Sequence, residues 1–279
     1  MCRILDLEVA LGKGSAEMPI IIAEPHGFYE KLLLEKITSN PSLHAFTIHD
    51  LRRDRDKTTL YLLVRDNDVG GYLLAYAGLG KYYSVIVEVF EDRSEDIVKE
   101  LLVHSIVSDK DFMGTIHVDE GFLETVAGIV KPSSVYFYYI MEYTGDLPNC
   151  DYNRYSIVEL DYGLLGKYKA SYEIARRVKG LRRAYGVVLE EEIVGVGGFY
   201  VMEPEVYLVG GIYVEPEYRG RGIGKAISCF LTEKALEDTG RVVLWVNIEN
   251  YPAVHIYRDI GYKVIRVNAW INVNVDVKP

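Results

Sequence analysis

The segment 214–226 reads Val-Glu-Pro-Glu-Tyr-Arg-Gly-Arg-Gly-Ile-Gly-Lys-Ala and follows an apolar run at 208–213. A strand pattern, a turn holding Gly220, Gly222 and Gly224, and then a helical pattern leave few folds open. The chain must quit a sheet, turn tightly and enter a helix within a few residues, as in α/β and α+β proteins. Glycines let the backbone take positive φ and turn successive N–H groups inward. At a helix N-terminus these donors lack intrahelical acceptors and the dipole favours negative charge, so the turn is predicted to cradle an anion. Arg219 and Arg221 add fixed positive charge beside it.

Two phosphate loops do not fit. A nucleoside-triphosphate loop needs Gly, four residues, then Gly-Lys-Ser/Thr, whereas Gly224-Lys225 is followed by Ala226 and Arg219 stands where the first glycine belongs. No hydroxyl is offered to magnesium. The dinucleotide fingerprint needs Gly-x-Gly-x-x-Gly, and glycines at 220, 222 and 224 have the wrong spacing.

Arg219, Gly222 and Gly224 satisfy Arg/Gln-x-x-Gly-x-Gly/Ala, which resembles motif A of the GCN5-related N-acetyltransferases (GNAT). A second block resembles motif B: Asn247, Asn250, Ala253, Tyr257, Gly261 and Tyr262 follow Asn-x-x-Asn-x-x-Ala-x-x-x-Tyr-x-x-x-Gly-Phe/Tyr, with Tyr262 in place of the commoner Phe. The resemblance covers the second half of the chain. It implies acetyl-CoA as acyl-donor cosubstrate, its pyrophosphate held by Arg219, Gly220, Arg221, Gly222, Ile223, Gly224 and Lys225. It further implies that Ile212, Tyr213 and Val214 pair with the pantetheine amides where the fourth and fifth strands splay, with an N–H near Ile212 facing the thioester oxygen.

Direct acetyl transfer to an amine also needs a proton for the departing thiolate and an acceptor for the amine's proton. The motif puts Tyr257 near the sulfur as general acid; a buried, hydrogen-bonded tyrosine is the alternative. Asn250 is expected to cap its helix and to contact the coenzyme arm. For the base, Glu203 and Glu205 begin the fourth strand, close to where family members carry a glutamate, and Glu205 is favoured; Glu215 and Glu217 are expected to face solvent. Arg176, Arg177, Lys179, Arg182 and Arg183 could grip the 3′-phosphate or an acidic partner, with a solvated helix end as the simpler reading.

Around the motifs the second half reads β-α-β-β-β-α-β-α-β-β. Strands are predicted at 156–161, 184–190, 193–201, 206–214 and 242–247, with helices at 164–178, broken near Gly166, at 222–238 and at 250–259. Strands at 262–267 and 270–275 close the order around Asn268-Ala269. The first half repeats much of this order, with a helix at 26–37, a hairpin of 58–65 and 69–77, a strand at 83–90, a helix at 92–107, strands at 113–118 and 134–143 and a helix at 119–129 between them. Its loop before the helix is Phe-Glu-Asp-Arg-Ser-Glu-Asp at 90–96, whose four acids would repel a pyrophosphate. The fold class expected is α/β (α+β), with two tandem GNAT-like domains, each a twisted, mostly antiparallel mixed sheet flanked by helices. Residues 1–147 would be a degenerate copy without the loop and 148–279 the catalytic domain, with a linker near 144–151. An unrelated α+β first domain is the alternative.

The net charge of −10 opposes nonspecific nucleic-acid binding and would favour a cationic acceptor, a small-molecule amine, a peptide N-terminus or a lysine, with an acidic surplus that only serves solubility as the simpler reading. No apolar run is long enough for a membrane span and the N-terminus continues into an acid, so a cytoplasmic protein is expected, monomer or homodimer. Cys2, Cys150 and Cys229 form no Cys-x-x-Cys pair, so neither a zinc ribbon nor a disulfide is expected, and six histidines show no metal spacing. The Tyr-Phe-Tyr-Tyr run at 136–139 is expected to alternate between strand faces. A module that binds acyl-CoA without transferring the acyl group is the reading from a different class.

Overall fold

The structure, a computed structural model, describes residues 20–23, 25–90, 94–145 and 150–274. The expected boundary at 147/148 lies outside the described residues, as do Cys2 and part of the acidic loop at 90–96.

The first half runs β1 (Ile20–Ile22), α1 (Phe28–Thr38), α2 (Ala45–Arg53), β2 (Thr58–Arg65), β3 (Asp68–Leu79), β4 (Tyr82–Val89), α3 (Glu95–Val103), β5 (Gly114–Asp119), α4 (Leu123–Ala127) and β6 (Pro132–Tyr143). The second half runs β7 (Ser156–Leu160), α5 (Tyr162–Lys167), α6 (Tyr172–Lys179), β8 (Arg183–Leu189), β9 (Glu192–Glu203), β10 (Val206–Val214), α7 (Ile223–Leu236), β11 (Val242–Asn247), α8 (Tyr251–Asp259) and β12 (Tyr262–Val273). Hairpin β2–β3 turns through Asp66 and Asn67 at φ 51° and 62°, a left-handed conformation that short polar side chains tolerate. The break between α5 and α6 falls at 168–171 rather than at Gly166, because the Ser171 side chain accepts from the Ile174 N–H and starts a new helix.

All twelve strands join one sheet in the order β1-β2-β3-β4-β5-β12-β6-β11-β10-β9-β8-β7. The two halves exchange strands at its centre: β12 lies between β5 and β6 of the first half, and β6 pairs in turn with β11 of the second. This corrects the predicted closing pair of strands around Asn268-Ala269. Residues 262–273 form one strand, with Asn268 1% and Ala269 0% exposed in mid-strand, paired with Asp119 and Val118 on one side and Tyr138 and Phe137 on the other. Tertiary pairing on both edges overrides the turn preference of a single asparagine. Arg266 of β12 reaches across to β4 and donates both guanidinium nitrogens to the nearly buried Glu88 carboxylate, one at 2.7 Å.

Helices cover both faces. Ile223, Ile227, Leu231, Val254 and Tyr257 of α7 and α8 close one core against Phe199, Val209 and Leu244, and α3 and α4 bury Ile97, Leu101 and Val126 in another. On the opposite face Leu33, Ile37, Ile48 and Leu51 of α1 and α2 pack against Leu60, Leu74 and Ile86 of the first half and also against Val201, Leu208 and Val243 of the second. Each fully buried aliphatic side chain contributes roughly 1.5–3 kcal/mol, so α2 ties the halves together by the same burial that holds it down.

A disulfide joins Cys150 to Cys229, with Cα atoms 6.2 Å apart and a sequence separation of 79, contrary to the expectation of unpaired thiols. The fold brings the segment before β7 onto α7, a juxtaposition that cysteine spacing does not encode.

Candidate functional site

The glycine turn has the geometry its sequence demands. Gly220 and Gly222 sit at φ 74° and 82°, and Gly222 is the N-cap of α7. A Cβ on Gly222 would lie 2.4 Å from Arg154 Nη2. Among the described residues the first helical backbone bond is donated by Ala226 N–H to the Gly222 carbonyl at 2.9 Å, and no acceptor is recorded for the N–H groups of residues 220–225. Side chains brace the turn from outside. Arg219 Nε donates to the Val214 carbonyl at 3.0 Å, Arg221 to the Glu217 carbonyl and Arg154 to the Arg221 carbonyl, both at 3.2 Å. Lys225 pairs with Asp259 of α8. Bare N–H groups thus form the cradle while most of the nearby cations hold its rim.

Strands β10 and β11 run parallel and pair from Tyr207–Val242 to Val209–Leu244, where the pairing stops. Beyond it Gly210 to Val214 and Trp245 to Asn247 diverge. Opposite β9 the register shifts by one residue between Gly210 and Tyr213, with Gly211 at φ 65°. Such a bulge leaves a residue out of the ladder and re-aims its N–H; it falls at Gly211-Ile212, beside the split. Ile212, Tyr213 and Val214 line one arm of the split and lead into the cradle.

Tyr257 of α8 is 9% exposed, sits 6.0 Å ring to ring from Tyr262 and has no hydroxyl partner among the described residues. Burial pushes its phenol up to about 12, so it carries its proton throughout the neutral range. Asn250 caps α8, its side chain accepting from the Ala253 N–H at 3.4 Å, with Pro252 in the first turn.

The two carboxylates expected to begin the fourth strand flank the β9–β10 turn instead, Glu203 ending β9 and Glu205 preceding β10, and both are occupied. Glu205 is gripped by both terminal nitrogens of Arg52 at 2.8 and 2.9 Å, and that hydrogen bonding holds its carboxyl below the usual range. Fully buried Glu203 meets His49 Nδ1 at 2.9 Å and Arg52 and Arg53 at 3.3 Å. Burial pushes it up, but these partners outweigh the effect and hold it low. An acid so stabilised in its charged form is a poor proton acceptor. Glu217 is exposed, whereas Glu215 is half-buried and accepts from the Tyr213 hydroxyl at 3.1 Å. In the basic cluster Arg176 pairs with Glu173, Arg177 lies over the Tyr213 ring and Arg182 crosses to Asp54 of the first half at 2.6 Å. In the 136–139 run, Phe137 and Tyr139 belong to different cores and Tyr138 stacks on Trp270 at 3.8 Å.

A cavity of about 440 Å³, absent from the sequence-based expectations, opens on the α2 face of the sheet and is lined by both halves, including Phe46, Asp50, His117, Tyr200, Trp245 and Trp270. It touches the split. Trp245 is the first β11 residue beyond the last β10–β11 pair, and a Cβ on Gly210 would lie 2.3 Å from the Tyr200 ring. Helix α2, which carries Phe46 and Asp50, escaped the sequence reading although Ala45, Ile48 and Leu51 recur every three residues. An open depression of about 810 Å³ beside α3 and α4 is rimmed by Glu95, Glu120 and Glu124, acids where the second half presents bare N–H groups. Among the described residues no group of acidic, histidine or cysteine side chains is placed to hold a metal, and no helix is long and apolar enough to cross a membrane.

The profile of the acetyltransferase (GNAT) family matches residues 150–262. An uncharacterised N-acetyltransferase of Methanocaldococcus jannaschii is 40% identical over 52 residues, 18% of this chain, and the match spans 23% of that relative's length. Among solved structures, a Drosophila protein is similar with a TM-score of 0.67 at 13% identity, covering 92% of this chain and 99% of its own. A tandem GNAT protein from the clavulanic acid biosynthesis pathway gives 0.61 at 16% identity, covering 94% of this chain and all (100%) of its own. At such identities the structural likeness speaks for the fold, and the family match for the second half. Residues 150–262 thus carry the match to the GNAT acetyltransferase family, and the chain as a whole shares its fold with a tandem GNAT protein.

Proposed function

We propose that the second half transfers an acetyl or other short acyl group from CoA to a primary amine, by direct attack within a ternary complex. The observation that carries this reading is the continuity of three features: bare N–H groups at 220–225, a bulged strand arm at 210–214, and the unpartnered Tyr257 phenol on α8. The cradle and its dipole suit a diphosphate, and the arm offers main-chain groups to the amides of a pantetheine chain as an added strand would. A re-aimed N–H at the bulge suits the oxygen that gains charge as the amine attacks.

Tyr257 supplies the proton for the thiolate. The burial that raises the phenol also raises the proton affinity of a thiolate formed beside it, so the donor and acceptor stay matched. The fit of the donor is electrostatic as well as geometric, since its phosphates meet Arg154, Arg219 and Arg221 at the rim.

The test is calorimetry with CoA alongside release of free thiol from acetyl-CoA over a panel of primary amines. Binding with turnover is expected, and Tyr257→Phe should slow turnover by about 10²-fold while leaving CoA affinity nearly unchanged. No heat with CoA refutes the reading; equal rates in the two proteins remove Tyr257 from the mechanism; tight binding with no thiol released by any amine favours an acyl-CoA sensor.

A further inference from the structure

Resting on that reading, we infer that the cavity on the α2 face is the acceptor pocket, that it takes a monocationic primary amine with a flat apolar body, and that Asp50 of the first half anchors and deprotonates the ammonium. The cavity adjoins the split where the acyl carbon would lie, because Trp245 belongs to both and the Tyr200 ring of the cavity wall lies against Gly210. A ligand there sits across the sheet from Tyr257, so the amine approaches from one side of the thioester while the thiolate departs toward the other.

The lining states the ligand's chemistry. Phe46, Tyr76, Tyr82, Tyr200, Trp245 and Trp270 supply aromatic walls, which favour flat apolar groups and, through their faces, cations. The indole nitrogens of Trp245 and Trp270 and Nδ1 of His117 are buried without a hydrogen-bond partner. His117 is neutral, since burial lowers it to about 3.

The charge is equally specific. Asp54 is matched by Lys57 at 2.5 Å and Arg182 at 2.6 Å, and His49 Nε2 lies 3.8 Å from it. The side chain of Asp50, one turn earlier on α2, has no recorded hydrogen bond or ion pair among the described residues, while its carbonyl accepts from the Asp54 N–H at 3.0 Å. It is the lining carboxylate left for a ligand. Burial and the neighbouring Asp54 charge raise its carboxyl to about 7, against the smaller opposing effects of Arg182 and Lys57. The other titratable groups around the cavity are His49 on the same helix, Tyr76 of β3, Tyr82 of β4, His117 of β5 and Tyr200 of β9. An acid of that strength is ionised for much of the time at neutral pH yet basic enough to accept a proton.

The step balances. Asp50 takes one proton from the ammonium; the free amine attacks the acyl carbon, forming C–N as C–S breaks. Tyr257 protonates the leaving sulfur and is reprotonated by the second proton lost from nitrogen. Asp50 then releases its proton to water, so one proton is set free per amide formed.

Both tryptophans of the chain line the cavity, so intrinsic fluorescence reports its occupancy without CoA. The wild-type protein would be titrated with phenethylamine and with its neutral counterpart 2-phenylethanol. A saturable change with at least about tenfold preference for the amine is expected, the preference growing as pH rises through about 7 and Asp50 ionises. Asp50→Asn should abolish the preference and its pH dependence, and lower kcat at least about 10²-fold with CoA affinity unchanged. Equal binding of amine and alcohol by wild type, a flat pH profile, or full turnover in Asp50→Asn overturns the proposal. Amine-selective binding by a protein that gives no heat with CoA keeps the pocket and overturns the acyl-transfer role, so the two readings fail separately. The wild-type arms decide the matter if Asp50→Asn does not fold.

Discussion

Replacing Gly222 with alanine tests the cradle at its most constrained point. The residue holds φ 82° and ψ 5° as the N-cap of α7, a conformation that costs an L-residue about 1–2 kcal/mol. The new methyl would also fall 2.4 Å from Arg154 Nη2. That guanidinium is the far end of a flexible side chain and can swing away, but in doing so it leaves the Arg221 carbonyl, 3.2 Å distant, that it braces. The expected cost of about 1–2 kcal/mol lowers the melting temperature by roughly 3–6 °C. Relaxing toward negative φ would rotate the first N–H groups of α7 away from the anion. Each hydrogen bond to a charged phosphate is worth about 1.5–3 kcal/mol, so CoA should bind about tenfold to a few hundredfold more weakly. Calorimetry with CoA and a thermal melt read both effects. Gly220→Ala separates strain from collision, because it sits at φ 74° with open space around its Cβ position; it should lose stability comparably with Arg154 left in place. Gly240→Ala, in open space at unstrained φ, should change neither quantity. Wild-type CoA affinity in Gly222→Ala would refute the argument that main-chain donors at this turn grasp the diphosphate.

Two further outcomes follow from the fold. Reduction of the Cys150–Cys229 bridge, or Cys150→Ser, should lower stability by about 4.5 kcal/mol by the chain-entropy estimate for a sequence separation of 79; a denaturation midpoint indifferent to reductant would show that the bridge is not formed. Glu203→Gln should cost about 1.5–3 kcal/mol, because it removes the charge from a buried carboxylate that is hydrogen-bonded to His49 and to the more exposed Arg52 and Arg53. The Glu203 carboxyl is held below its unfolded value, so its contribution is full above the ordinary glutamate range and disappears as pH falls through the folded value. The variant should therefore show a flatter acid limb than wild type in denaturant midpoints measured between pH 3 and 6, and parallel acid limbs would sink this account.

Much of the second half was legible in the sequence because its signals are local. The bounds of β10 and β11 follow from apolar runs, α8 begins at the residue after Asn250, and glycines at 220 and 222 are required by positive φ. Each of these is decided within a few residues, by backbone sterics and by caps. Helix α2 was missed although Ala45, Ile48 and Leu51 mark its buried face, since its polar side carries His49, Asp50, Arg52 and Arg53 and the run is only nine residues long. The expected base, Glu205, depended on position along a strand; what its carboxylate does is set by Arg52, 153 residues away.

The chain's residues by themselves determined the strand–turn–helix unit and the cradle that ends it, because hydrogen-bond donors and allowed φ are properties of neighbours in the chain. The tertiary structure alone decided that β12 crosses into the first half and β6 into the second, that Cys150 meets Cys229, and that α2 brings Asp50 into one cavity with Trp245. These depend on which partners fill the open edges of a sheet and cover its faces. Alternating patterns specify that a strand must be paired and a face buried, while the identity of the neighbour comes from the free energy of the whole packed sheet.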